Sequence, residues 1–429
     1  MSDRYKVSEA LLERALKTIP LGSQTFSKSK TQYPAGISPY FITRGSGCRV
    51  WDVDGNEYID FVSSLASVTL GYSDSDVNAA VRKQLEDGVI FSLPHPLEME
   101  VAERLVEMVP CAEMVRFGKN GSDATSGAIR LSRAYTARDR VAVCGYHGWQ
   151  DWYIGSTARH RGVPQCVRDL THSFAYNDLA ALEQLLKAYP GEFAAVIIEP
   201  MNVVDPAPGY LAGVRELAHR HGALLVFDET ITGFRFANGG AQEYFGVIPD
   251  LATFGKGIAN GYPVSAVAGR ADVMKLMEEI FFSFTFGGET LSLAAAAATL
   301  DKLAREPVTR TLAERGEQLR SGVTALIERH GLGECLSMAG HPSWTFLVIK
   351  DTAGCSMWEA KTLLMQELLA RGILWIGTHN LNYAHGYADI VRLLDAYDQA
   401  FPMLRQAIET GRPKDFLRCD PLQPLFKIR

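Results

Sequence analysis

VRELAHRHGALLVFDE, residues 214–229, passes directly from one periodicity to another. Its first half has the spacing of an amphipathic helix, whereas Ala223–Phe227 is an unbroken apolar run that ends on Asp228 and Glu229. A strand with one wet face would alternate, so an uninterrupted run points to burial on both faces, as in a parallel sheet covered by helices. The pairing repeats between about residues 75 and 300. Helical stretches (DVNAAVRKQLEDG, PLEMEVAERLVEMV, ATSGAIRLSRAYT) alternate with short apolar runs (MVRFG, RVAVCGYHG, FAAVIIEP, LATFGK, VSAVAGR). This alternation predicts an α/β fold with a large domain, residues 66–305, built on a mostly parallel sheet.

The flanks read differently. WDVDGNEYIDF turns at Asp54-Gly55, a strong hairpin signal, and places a β unit in an N-terminal segment, residues 1–65. Beyond the large domain, residues 306–429 follow a helix, strand (WTFLVIK), helix, strand (ILWIG), helix pattern. With the N-terminal segment they are expected to form a smaller α+β domain. The AAAAA run at 294–298 reads as a tightly packed helix.

The chain has 429 residues, ample for a buried catalytic core, and a net charge of −6 without any basic block, which speaks against nucleic-acid partners. The apolar runs are too short to span a bilayer, the N-terminus lacks a signal-peptide pattern, and the seven cysteines are scattered with no CxxC. A cytoplasmic enzyme of small molecules, without membrane contact, is the expectation. His219 and His221 have no third ligand in view, so no metal is predicted.

In an open α/β sheet, ligands gather beyond the carboxyl ends of the strands. MVRFGKNGSDATSGAIRL runs from strand to glycine turn to helix, and its Gly121 and Ser122 amides would open that helix as a phosphate cradle. Asp228 ends a buried strand, where a carboxylate calls for a cation such as a protonated pyridine nitrogen. RVAVCGYHG delivers Tyr146 and His147, an aromatic face for a planar ring among them. LATFGKGIANGYP, residues 251–263, sets Lys256 among apolar residues and glycines, with no acid nearer in sequence than Asp250. A lysine taken out of water gives up its proton more readily and becomes a nucleophilic amine. Phosphate cradle, stacking aromatic, buried acid and apolar-loop lysine are the four parts that pyridoxal 5′-phosphate (PLP) requires.

Together with GGAQEYFGVIPDLATFGKGIANGYPVSAVAGR and FTFGGETLSLAAA, these segments resemble the class III (ω-type) aminotransferases of fold type I, most closely the glutamate-1-semialdehyde aminomutase-like subgroup. The resemblance spans nearly the whole chain. It implies that Lys256 forms the Schiff base, that Asp228 pairs with the pyridine nitrogen, that Gly121 and Ser122 hold the phosphate and that Tyr146, beside His147, stacks on the ring. Glu199 matches an acid near the cofactor. Thr285 matches a threonine that reaches the phosphate of a neighbouring subunit, which implies an obligate homodimer with shared sites.

Several positions depart from the aminomutase pattern. Lys119-Asn120-Gly121-Ser122-Asp123-Ala124 stands for Asn-Ser-Gly-Thr-Glu-Ala, and Thr230 replaces a valine. Lys28 takes the place of the arginine that grips the substrate carboxylate, and the segment between Gly372 and His385 is shortened and lacks the expected acid. Trp149, Trp152 and Arg159, in the loop GYHGWQDWYIGSTARHRGVPQ, are candidates for shaping a polar or acidic substrate pocket. These departures favour an aminotransferase working between an amino donor, glutamate, and a carbonyl acceptor over the alternative, an intramolecular glutamate-1-semialdehyde 2,1-aminomutase. Racemase or decarboxylase chemistry ranks below both. A catalytically dead binding protein would not need Lys256 and Asp228 together, and no GxGxxG follows the first strand of the large domain to support a dehydrogenase.

Overall fold

The computed structural model describes residues 3–424. The described residues divide into two units, one of residues 3–74 with 311–424 and the other of Ser75–Arg310. In the first unit, β1 (Ile42–Ser46), β2 (Arg49–Asp52) and β3 (Glu57–Asp60) form an antiparallel meander with Val50 opposite Tyr58. Its turn is the expected one. Gly55 takes φ +87, a region that favours glycine, and the Asp52 carboxylate accepts the Asp54 and Asn56 amides.

The second unit holds seven strands: β4 (Met114–Gly118), β5 (Arg140–Cys144), β6 (Thr171–Ser173), β7 (Phe193–Ile198), β8 (Leu224–Asp228), β9 (Leu251–Phe254) and β10 (Ser265–Gly269). Their order is β4-β10-β9-β8-β7-β5-β6, and every pairing is parallel except those of β10 with its two neighbours. The sheet is thus mostly parallel, as the apolar runs require. Alternate strand residues feed two cores. Val141, Val143, Ile197 and Val226 pack with Ala124, Ala128 and Leu131 of the helix Gly121–Thr136. Ala142, Val196, Leu225 and Phe227 pack with the helices Leu179–Ala188 and Tyr210–Arg220. Burial on both faces is why these strands show no alternation. The register sets Asp228 beside Thr253 and Gly118 beside Ser265, so the ends of β4, β5, β7, β8 and β9 open on one edge of the sheet.

The first unit is completed by β11 (Leu336–His341), β12 (Trp344–Ile349), β13 (Ile373–Leu374) and β14 (Thr378–Asn380). The antiparallel sheet β11-β12-β14 stands apart from β1-β2-β3-β13, in which β13 runs parallel to β3. ILWIG was expected as one strand, but only its first two residues form β13; β11 and β14 carry no run that announces them. The alanine run lies in the helix Thr290–Arg305, with Ala294–Ala297 buried.

Candidate active site

Four loops converge at the sheet edge. After β4, Asn120 caps the helix Gly121–Thr136: its side chain accepts from the Asp123 amide at 3.2 Å, and the Asp123 carboxylate takes the amides of Lys119 and Asn120 at 2.9 and 3.0 Å. This capping box leaves the Gly121 and Ser122 amides as the opening donors of a 16-residue helix, at its positive end. A Cβ on Gly121 would meet Thr230 Cγ2 at 3.0 Å, and one on Gly255 would lie 3.4 Å from the same methyl and 3.7 Å from Gly121 Cα. The absent side chains therefore let the loops beyond β4, β8 and β9 touch. A fourth loop, beyond β5, joins them, since the Trp149 amide donates to Ser122 Oγ at 3.3 Å and Thr125 Oγ1 donates to the His147 carbonyl at 2.8 Å.

Asp228 is buried at the end of β8. Its Oδ2 lies 2.8 Å from His147 Nδ1, while Oδ1 accepts from Thr230 Oγ1 at 2.6 Å, the Thr230 amide at 3.1 Å and Thr253 Oγ1 at 3.2 Å. Burial pushes this carboxyl up, but the bond and charge of His147 and the two Thr230 bonds outweigh it and hold the group below the usual carboxylate range. His147 is wedged beside Trp152 and Tyr153, and its Nε2 is buried without a hydrogen-bond partner.

Lys256 follows Gly255 beyond β9 and is half-buried between fully buried neighbours. It takes φ +43, a left-handed conformation that costs a residue with a Cβ about 1–2 kcal/mol. Non-glycine residues held this way concentrate at functional sites. Glu199, just past β7, accepts from the Tyr146 amide at 2.8 Å and from Asn202 Nδ2 at 3.2 and 3.1 Å. Tyr146 is partly exposed and meets Tyr153 edge-on at 5.7 Å.

The remaining candidates are dispersed. Trp149 and Arg159 are exposed on their loop, whereas Trp152 points into the core and donates to Ser126 Oγ at 3.0 Å. Thr285 is exposed between Phe281 and Phe286, themselves 84% and 57% exposed. Lys28 belongs to the first unit, with Nζ 3.4 Å from Ser64 Oγ. Lys119 is drawn to Glu289 Oε2 at 3.1 Å, and His219 to Asp250 at 2.8 Å. Sequence reasoning missed the His147–Asp228 pair, because 81 residues separate the partners, and it missed Asn202.

Residues 32–379 match the family described as "Aminotransferase class-III". The chain belongs to the class-III aminotransferases. This class-III aminotransferase is 34% identical over 421 residues to the 3-aminobutyryl-CoA aminotransferase of Cloacimonas acidaminovorans, covering 95% of this chain and 100% of that one. It is 37% identical over 433 residues to the glutamate-1-semialdehyde 2,1-aminomutase of Sorangium cellulosum, with 93% and 97% covered. Among solved structures it resembles the PLP form of the FumI protein of Sphingopyxis sp. MTA144, with a TM-score of 0.87, 31% identity and 96% and 98% of the chains covered. Its fold is fold type I and its cofactor is PLP. The residues at the sheet edge fit that group: an acid kept ionised in a buried place, helix-opening amides for a phosphate, and an amine on the loop beyond β9. Among the described residues no helix is long and apolar enough to cross a membrane.

Proposed function

We propose that this class-III aminotransferase carries out intermolecular transamination, with glutamate as amino donor and an acidic or polyhydroxylated carbonyl compound as acceptor. The observation that carries the reading is Asp228, a buried acid held ionised by His147 and Thr230 on the edge where the Gly121 and Gly255 loops meet. Bound there, PLP supplies the electron sink for moving an amino group between two carbon skeletons. In this reading Asp228 holds a proton on the ring nitrogen, and Gly121 and Ser122 bind the phosphate through their amides. Lys256 would hold the cofactor through Nζ and would carry a proton to and from the substrate carbon. Tyr146 covers the ring, His147 orients Asp228, and Glu199 steadies the Tyr146 backbone from beside the cofactor.

Lys28 in place of arginine, the shortened Gly372–His385 segment and the polar Thr230 support transamination over a site dedicated to one semialdehyde. Lys28 serves as a point-charge anchor for a carboxylate; Trp149 and Arg159 shape a pocket for a polar or acidic substrate. The exposed Thr285, flanked by exposed phenylalanines, supports a homodimer in which each subunit completes the other's phosphate site. The enzyme acts in the cytoplasm on small molecules.

The deciding experiment adds each donor alone to the PLP-loaded enzyme. Loss of the visible absorption band with one equivalent of keto acid released is expected for glutamate. Failure with every donor, joined to isomerisation of glutamate-1-semialdehyde by the pyridoxamine phosphate form, would establish the aminomutase instead. Sharing of sites is tested by mixing Lys256→Ala chains with chains carrying Thr285→Ala. Hybrid dimers should show activity different from the Thr285→Ala parent, and identical activity after proven subunit exchange would refute it.

A further inference from the structure

Two carboxylates stand at the loop that presents the Gly121 and Ser122 amides, where a phosphate would be repelled by both. Asp123 lies in the first turn of the helix Gly121–Thr136 and accepts from the Lys119 amide at 2.9 Å and from the Asn120 amide and Nδ2, each at 3.0 Å. Glu289 comes to the loop from the helix Thr290–Arg305, which it caps: Oε1 accepts from the Leu291 amide at 2.8 Å and Oε2 from the Ser292 amide at 3.2 Å. Burial pushes the Glu289 carboxyl up, but its bonds from Ser292 and Lys119 outweigh that and hold it below the usual carboxylate range.

The counter-charge is Lys119. Its Nζ lies 3.1 Å from Glu289 Oε2 and 3.3 Å from Ser292 Oγ, with both charged side chains mostly buried. Among the described residues no other lysine or arginine pairs with Glu289, and none pairs with Asp123. Local energetics do not account for a lysine here, because the start of a helix is the unfavourable end of the dipole for a cation; Glu289, by contrast, sits at the favourable end of its own helix. Two trans peptides separate Lys119 from Gly121, so their Cα atoms are at most about 7.6 Å apart, within one Debye length at physiological salt. The charge of Lys119 is therefore felt at the phosphate loop.

We propose that Lys119 is a positioning residue for the cofactor's phosphate: it neutralises Glu289 and holds that carboxylate at the start of the helix Thr290–Arg305, so that the Gly121 and Ser122 amides receive the phosphate without an uncompensated opposing charge. The proposal rests on the reading that those two amides bind the phosphate.

The test measures Kd of the full-length enzyme, freed of cofactor, for PLP and for pyridoxal, which lacks the phosphate, by absorbance titration at low salt and at about 0.5 M salt. For Lys119→Met, Kd for PLP should rise about tenfold or more at low salt, the scale of one partly buried charge, and less at high salt. Kd for pyridoxal should stay within about twofold. Adding Glu289→Gln to Lys119→Met should recover about threefold or more of the loss, and Lys119→Arg, which keeps the charge, should stay close to the parent. The proposal is overturned by a PLP constant for Lys119→Met within about twofold of the parent's or by an equal loss for pyridoxal. A loss that salt or Glu289→Gln leaves unchanged, or that Lys119→Arg reproduces, overturns it as well. Should Lys119→Met fail to fold, Glu289→Gln alone decides: a PLP constant equal to or below the parent's supports the proposal, and a raised one overturns it. A parent that binds PLP no tighter than pyridoxal would remove phosphate binding itself; that failure of the underlying reading shows before any variant is made, and the proposal falls with it.

Discussion

Asp228 and Glu229 are adjacent in sequence, both buried, and end the same strand, yet their surroundings send them in opposite directions. Asp228 meets an imidazole and two hydroxyls and is held below the usual carboxylate range. Burial pushes Glu229 up, and its donors only partly offset that: Thr232 Oγ1 at 2.7 Å, the Ala241 and Gln242 amides at 2.6 and 3.0 Å and Gln242 Nε2 at 3.2 Å. All of these donors are neutral. Glu229 thereby fastens the start of the helix Ala241–Phe245, against a Gly240 whose φ of +86 and contact with the carboxylate leave no room for a side chain. Burial marks both acids; the charge of the partner separates the one suited to chemistry from the one that holds a loop.

The floor for the comparison is Lys256→Ala, which is expected to abolish turnover and the visible absorption of the bound cofactor, as read by spectrophotometry and steady-state assay. Either signal persisting would remove Lys256 from the reaction. Asp228→Asn should still bind PLP, measured by fluorescence titration, and lose about 10²–10³-fold in kcat, the scale for removing one electrostatic stabiliser. Glu229→Gln should keep kcat within about threefold. Comparable losses from the two substitutions would erase the distinction drawn here.

In chemical denaturation the ranking of Glu229→Gln changes. The new amide turns a donor toward existing donors, so a destabilisation of about 1–3 kcal/mol is expected. The smallest effect is the pH dependence. Asp228, with its folded value depressed, contributes stability above its unfolded value near 3.8 and loses it as pH falls through the folded value. Glu229, with its folded value raised, contributes most below the unfolded value near 4.5, and that contribution is lost as pH rises toward the folded value. Denaturation midpoints of the two variants relative to the parent should therefore diverge in opposite senses below and above about pH 4; parallel profiles would contradict the assignments.

Much of this is legible in the sequence. Unbroken apolar runs ending on Asp228, or followed at once by Gly255-Lys256, announce buried strands that deliver polar groups to one edge, because both faces of such a strand must be dry. Asp54-Gly55 announces its hairpin because the turn needs a residue that accepts positive φ. The reversed direction of β10 left no trace, since VSAVAGR has the same apolar character read either way. Short β6 and β14 were silent for want of a pattern, and Trp152 looked like a loop residue until the helix Gly121–Thr136 supplied a partner for its indole nitrogen.

The sequence by itself determined which residue types stand at the strand ends, and through them the family and cofactor, because local periodicity and motif spacing are properties of neighbours along the chain. The tertiary structure alone decided that His147 meets Asp228, that Thr230 fills the space left by Gly121 and Gly255, and that Asn202 turns an unpartnered oxygen toward burial. Those are contacts between distant segments. Their strength depends on ångström-scale distance and on exclusion of water, and neither exists until the sheet brings the loops together.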